Sequence, residues 1–194
     1  MLVLMLVSPP LLTYTIRMNA PARTVTLIGW SGSGKSRTAA RLIAHFRREG
    51  YHVGAIKKSG GELELDRPGS DSDLLRRSGA YETALLAPNM SALLYERQLS
   101  AEEILQHFSR ADLVVSEGLP LPGGPLLEVA GKKTEEEGLK SAPGSGLPEP
   151  DAFIITAPLS SALFPEGAVR YSAEDFSALL DFLEEQWNAR SPLP

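Results

Sequence analysis

An α/β fold with a mostly parallel central sheet is predicted from three consecutive features of the chain. Residues 24–28 are a short β-branched, apolar run that stops at Gly29. Residues 36–48 follow with Ala39, Ala40, Leu42, Ile43 and Phe46 at helical spacing, basic residues on the other face and Gly50 as the stop. Residues 52–56 then read as a second buried strand. Strand, glycine-rich loop, helix and strand make a βαβ unit, so the two strands run parallel.

The remaining elements follow in order. Glu62-Leu63-Glu64-Leu65-Asp66 alternates with period two, as a short exposed strand does. Asp71 or Ser72 is placed to cap a helix that runs to Ser78 and closes at Gly79. Residues 82–86 and 92–95 pair as strands around Pro88-Asn89, and Ser100 with Glu103 makes a capping box for a helix to about Phe108. Residues 112–118 are a buried strand with an acidic end, and 126–130 are another strand. Residues 131–150, rich in Gly, Pro, Ser, Glu and Lys, read as a long mobile loop inside the domain. Residues 152–156 are a last core strand. Residues 173–187 are a closing amphipathic helix with Phe176, Leu179, Leu180, Leu183 and Trp187 on one stripe. Residues 23–190 are thus expected to form one domain behind an N-terminal extension, 1–22.

Composition narrows the function. Hydrophobic residues make up 43% and charged residues 22% of the 194, which suits a globular chain with a core. The net charge of -5 argues against broad nucleic-acid binding, which needs a basic face. The absence of cysteine excludes disulfides, thiolate metal sites and cysteine nucleophiles, and His45, His52 and His107 lack ligand spacing. The apolar runs 2–7 and 11–16 are split by Ser8-Pro9-Pro10 and fall short of the roughly 20 residues that span a bilayer. The first basic residue, Arg17, follows them, which is the wrong order for a signal peptide. Met18 is the expected start, and the protein is expected in the cytoplasm, away from membranes.

The chemistry lies in Gly29-Trp30-Ser31-Gly32-Ser33-Gly34-Lys35-Ser36, which fits G-x-x-x-x-G-K-[ST] at every fixed position. Glycines let the backbone curl so that its N–H groups face phosphate oxygens. The helix that begins near Lys35 adds its positive end. Lys35 is the catalytic ammonium that reaches the β and γ phosphates, and Ser36 coordinates magnesium. Trp30, Ser31, Gly32, Ser33, Gly34, Lys35, Ser36 and Arg37 are therefore the candidate nucleotide contacts, and the expected architecture is the three-layer fold of P-loop NTPases. Trp30 suits a packing role.

Magnesium also wants a carboxylate at a strand end. Asp112 starts its strand and Glu117 ends it; ligands of open α/β sheets bind beyond the carboxyl ends, which favours Glu117 as metal and catalytic residue. Asp66 and Asp71, in the loop after the second strand, are further metal candidates, with helix capping as the alternative for Asp71. Lys57, Lys58 and Arg67 cluster just past the second strand, either to receive another phosphate group or as ordinary surface charge. No [NT]-K-x-D segment exists, so the base is not readable from motifs.

Together these residues resemble the molybdopterin-guanine dinucleotide biosynthesis protein B family. The loop with its tryptophan is one block. The second is Gly54-Ala55-Ile56-Lys57, then Asp66-Arg67-Pro68-Gly69-Ser70-Asp71-Ser72 and Leu75-Arg76-Arg77-Ser78-Gly79-Ala80; the third is Ala111 through Gly118. The resemblance implies a homodimeric GTP- and magnesium-binding adaptor with weak hydrolysis. It implies assistance to the nucleotidyltransferase that attaches GMP to molybdopterin, with molybdopterin itself as a further ligand. The family pattern has histidines soon after the lysine matching Lys57, where this chain has Lys58-Ser59-Gly60-Gly61. The residues alone leave a small-molecule kinase, with Asp66 or Asp71 as base, and a nucleotide-binding module without turnover as alternatives. Arg37, Arg67, Arg76 and Arg77 are the available arginines.

Overall fold

The computed structural model describes residues 22–61 and 67–190. In chain order the elements are β1 (Arg23–Ile28), α1 (Lys35–Arg48), β2 (Val53–Lys57), α2 (Asp71–Arg77), β3 (Glu82–Ala87), β4 (Met90–Tyr95) and α3 (Ala101–Gln106). Then come β5 (Leu113–Glu117), β6 (Leu126–Ala130), α4 (Lys132–Glu137), β7 (Ala152–Ile155), β8 (Arg170–Ser172) and α5 (Phe176–Arg190). Six strands form one sheet in the order β2-β5-β1-β6-β7-β8, and every neighbouring pair is parallel. The chain winds from β1 to one side and then to the other, so the crevice outside the carboxyl end of β1 is the switch point where such sheets bind ligands.

Alternation along the strands divides the sheet into two unlike faces. Val25, Leu27, Leu113, Val115, Leu127, Val129, Ala152 and Ile154 point to one side, where Leu42 and Phe46 of α1 and Leu179, Leu183 and Trp187 of α5 cover them. Phe46 and Trp187 meet edge to face at 5.6 Å, and Trp187 Nε1 donates a buried hydrogen bond to the Thr24 carbonyl at 2.8 Å. The opposite side carries hydroxyls. Thr24 Oγ1 donates to Pro122 O, Thr26 Oγ1 accepts from Leu121 N, and Ser116 Oγ donates to Leu119 O. Irregular chain therefore makes that third layer, because these strand hydroxyls satisfy backbone groups that a helix would satisfy internally.

β3 and β4 form a separate antiparallel hairpin closed at Ala87↔Met90 around Pro88-Asn89. It is tied to its neighbours by Arg76–Glu96 from α2 and by Arg97–Glu103 from α3. The α3 capping box forms as the sequence predicts, with Ser100 Oγ accepting from Glu103 N and Glu103 accepting from Ser100 N.

Several expectations are corrected. The cap of α2 is Ser70, whose hydroxyl accepts from Asp73 N at 3.2 Å, because the chain turns one residue before Asp71. Within 131–150 a helix forms, Lys132–Glu137, held by Gly131 N donating to the buried Thr134 Oγ1 at 3.1 Å. β8 has only three residues, too few for alternation to be seen. α5 starts at Phe176 and buries Phe182 beside the expected stripe. The strand expected over 62–66, the start at Met18 and the extension 1–21 lie outside the described residues.

Trp187 joins α5, α1 and β1 through ring packing and one hydrogen bond. Trp187→Ala is expected to cost about 3–5 kcal/mol of unfolding free energy, measured by urea denaturation with an unchanged m-value. A loss under about 1 kcal/mol contradicts the central place given to this residue.

Candidate functional site

Parallel pairing brings the predicted residues to one edge of the sheet. Leu27 is opposite Glu117, Lys57 is opposite Glu117, and Ile28 is opposite Glu128. The loop therefore leaves β1 between the ends of β5 and β6. Gly29 and Gly34 have φ of 139° and 102°, and Gly32 has 79°, all in the region that glycine adopts at no steric cost. Gly29 is needed twice over: a Cβ there would stand 2.4 Å from the Val129 carbonyl oxygen and 2.9 Å from Ser33 Oγ.

The loop closes on the Trp30 carbonyl. It accepts from Ser33 N at 3.2 Å and from Lys35 Nζ at 2.6 Å. The Lys35 side chain is thereby folded back from the first position of α1 across the loop. Burial lowers the pKa of its ammonium; Glu117 opposes that, and Lys140 and Lys57 add to it. Ser31 and Gly32 are exposed along the loop, Ser33 is buried, Gly34 is the N-cap of α1, and Arg37 is exposed in its first turn.

Ser36 Oγ donates to Glu117 Oε2 at 2.7 Å, and Lys57 Nζ lies 3.4 Å from the same hydroxyl and 3.5 Å from Glu117. Hydroxyl, carboxylate and ammonium thus converge at the mouth of α1. Lys58 N donates to the Glu117 carbonyl, which holds the chain after β2 against β5.

The other acidic candidates do not converge there. Asp112 sits at the opposite end of β5 and accepts from His52 N at 2.7 Å. Asp71 is exposed at the start of α2, and among the described residues no hydrogen bond or ion pair joins it to Ser36 or Glu117. Asp66 lies outside the described residues. Arg76 and Arg77 are engaged with Glu96 and Asp73 around α2.

Three features of the site escape the sequence reading. Glu128, fully buried in β6, accepts from Lys140 N at 2.6 Å, from Ser141 N at 3.0 Å and from Ser141 Oγ. Its signal is a lone carboxylate in the apolar run Leu126 to Ala130. Thr156 Oγ1 bridges the Ser33 and Ala130 carbonyls at 2.8 and 3.0 Å and pins the back of the loop. Trp30 Nε1 donates to Gly138 O at 2.8 Å, and the Lys133 and Lys140 ammoniums lie 5.3 and 5.6 Å from its ring. Residues 132–141 are thus a strap tied to the loop, and nothing in their composition announces it.

Beyond Thr156, at the carboxyl ends of β7 and β8, a cavity of about 490 Å³ opens among Pro158, Phe164, Arg170, Tyr171 and Glu174. Its size is that of a small-molecule site. No helix among the described residues is long and apolar enough to cross a membrane.

The family model described as "Molybdopterin guanine dinucleotide synthesis protein B" matches residues 24–144. The chain is 34% identical over 95 residues to the molybdopterin-guanine dinucleotide biosynthesis adapter protein of Escherichia coli, covering 46% of this chain and 54% of that protein. It is 30% identical over 114 residues to the adapter protein of the same name from Haemophilus influenzae, covering 55% and 64%. The chain thus spans less than two thirds of the length of these two relatives. Among solved structures, Bacillus subtilis MobB superposes with a TM-score of 0.60 at 22% identity, covering 84% of this chain and 97% of that one. The MobB homologue of Bacillus stearothermophilus gives 0.58 at 22% identity, covering 86% and 98%. At that identity the likeness is one of fold.

Glu128 takes three hydrogen bonds from the strap, and each is worth about 1 kcal/mol or more when the acceptor is charged. Glu128→Ala is expected to speed trypsin cleavage after Lys132, Lys133 and Lys140 by about tenfold or more, with the far-ultraviolet circular dichroism of the sheet retained. Unchanged cleavage there means that the strap is held by something else.

Proposed function

Because the chain belongs to the molybdopterin guanine dinucleotide synthesis protein B family, we propose that it binds GTP with magnesium and acts as an adapter in molybdopterin guanine dinucleotide formation. The observation that carries this reading is the joint placement of Lys35 across the glycine loop and Ser36 against Glu117, at one helix mouth. A glycine-curled loop, a helix N-terminus and an ammonium held on the Trp30 carbonyl are what a triphosphate requires.

Ser36 Oγ and the Glu117 carboxylate are two hard oxygen donors of the kind magnesium takes. No cluster of three or more His, Asp or Glu forms among the described residues. An ion held here would depend on ligands from outside the protein to complete its coordination. Ser36 and Glu117 would hold a magnesium ion, which would supply charge neutralisation on the phosphates, while Lys35 would bind phosphate oxygens directly. In this reading the base lies toward the cavity beyond Thr156, whose hydroxyl donates to the Ser33 carbonyl of the loop. Guanine as that base rests on family membership.

Turnover in this reading is slow. Glu117 is committed to Ser36 and Lys57, and Arg76 and Arg77 are engaged elsewhere, so the described residues offer no obvious group to orient an attacking water. Such a protein suits the role in its relatives' names, an adapter in molybdopterin-guanine dinucleotide biosynthesis; assistance in the cytoplasm to the enzyme that joins GMP to molybdopterin rests on the family resemblance. The homodimer that the resemblance implies finds apolar surface on the hairpin, where Leu86 and Leu93 are 83% and 47% exposed on one face and Met90 is 68% exposed at the turn.

Calorimetry of the full chain with magnesium and either GTP or ATP tests the nucleotide. GTP is expected to bind at least about tenfold more tightly than ATP, and Lys35→Ala to weaken GTP by about a hundredfold or more while unfolding stays cooperative. Equal affinity of wild type and Lys35→Ala for GTP refutes the loop assignment. Acceptor-dependent GDP formation with a small molecule would instead favour a kinase. Separately, Leu86→Glu with Leu93→Glu is expected to convert the dimer to monomer in light scattering after size exclusion; a dimer that persists moves the interface elsewhere.

A further inference from the structure

We infer that Lys140 is a second phosphate-binding ammonium, delivered by the strap to the γ end of the bound triphosphate. The inference rests on the nucleotide reading above and adds a residue that lies outside the loop motif.

Lys140 Nζ donates to the Gly29 carbonyl at 3.2 Å, and Lys35 Nζ donates to the next carbonyl, that of Trp30, at 2.6 Å. The two ammoniums therefore stand on consecutive carbonyls at the mouth of one loop. Lys35 reaches back from α1 to this side, so the β/γ end of a triphosphate lies here, and an ammonium on Gly29 flanks its terminal phosphate.

The placement is built, not incidental. The Lys140 amide is fixed on Glu128, and so are the amide and hydroxyl of Ser141. Glu128 is fully buried, so the side chain of Lys140 starts from a rigid point. Trp30 carries the Lys140 ammonium above its ring and donates its own N–H to Gly138 O, so the strap and the loop locate each other. Among the described residues no carboxylate pairs with the Lys140 ammonium. Its charge opposes that of Lys35 at the loop mouth, and a bound anion would neutralise both. A terminal phosphate offers three charged oxygens, enough for both ammoniums and a magnesium ion.

A strut that merely caps Gly29 and stacks on Trp30 would affect all nucleotides alike; a γ-phosphate ligand discriminates. The test is calorimetry of the full chain with magnesium and GTP or GDP for the wild type, Lys140→Met, Lys140→Arg and Lys35→Ala. Lys140→Met keeps the length of the side chain and removes the charge. It is expected to weaken GTP by about ten- to a hundredfold, the worth of a charge-assisted hydrogen bond, and GDP by less than about threefold. Lys140→Arg is expected to restore most of the GTP affinity, and the trypsin pattern of Lys140→Met at Lys133 is expected to match the wild type. Equal losses for GTP and GDP, or no loss, overturn the role of Lys140. If Lys35→Ala abolishes binding while Lys140→Met does not, this inference alone fails. If the wild type binds neither nucleotide, the loop reading fails with it.

Discussion

The site depends on β1 being hydrogen-bonded along both edges, to β5 on one side and β6 on the other. Parallel pairing aligns carboxyl ends, so Lys57, Glu117, the glycine loop and Gly131 all emerge at one rim. A one-residue slip of β5 against β1 would turn Glu117 to the other face of the sheet and take it from Ser36. Packing enforces the register, since Val25, Leu27, Leu113 and Val115 must all face α1 and α5 at once. The core and the candidate site are therefore one constraint, and the hydrophobic alternation that buries the strands also aims the polar ends.

Charge is distributed unevenly around that rim. Lys35, Lys57 and Lys140 meet there, and Glu117 is the carboxylate set against them. Glu128 is close by, but both its oxygens are occupied by the amides of the strap. These like charges oppose one another in a partly exposed site, and a bound polyanion would reduce that repulsion. The protein as a whole carries a net charge of -5, so this local positive surplus runs against the global balance.

Sequence reading reached the parts of this arrangement that have a period or a motif. Short apolar, β-branched runs gave β1, β5 and β6 within a residue, helical spacing gave α1, and the loop pattern singled out Lys35 and Ser36. Position at a strand end chose Glu117 over Asp112, and the structure sets Glu117 against Ser36 while Asp112 braces β2 from the far end. What escaped was carried by tertiary contact alone. Lys140 has no periodic neighbour, and Thr156 earns its place by meeting a carbonyl 123 residues away. Composition misread 132–137, because six residues of Lys, Thr and Glu beside Gly and Pro look like loop until Thr134 is buried under Gly131. Asp71 was drawn in by its place after β2, yet it lies on a helix that packs with the hairpin and not with the loop.

The use made of Glu128 bears on what kind of protein this is. A carboxylate fully buried beside a phosphate loop is expensive unless it is hydrogen-bonded, and three donors from 140–141 meet that cost. An enzyme built for turnover would aim such a group at water near the γ-phosphate. Here it faces the strap and fixes a lysine, while Glu117 fixes a serine and a second lysine. Both buried or half-buried carboxylates of the rim are thus spent on holding cations in place. In the nucleotide reading proposed above, this rim is organised to grip a triphosphate rather than to cleave it.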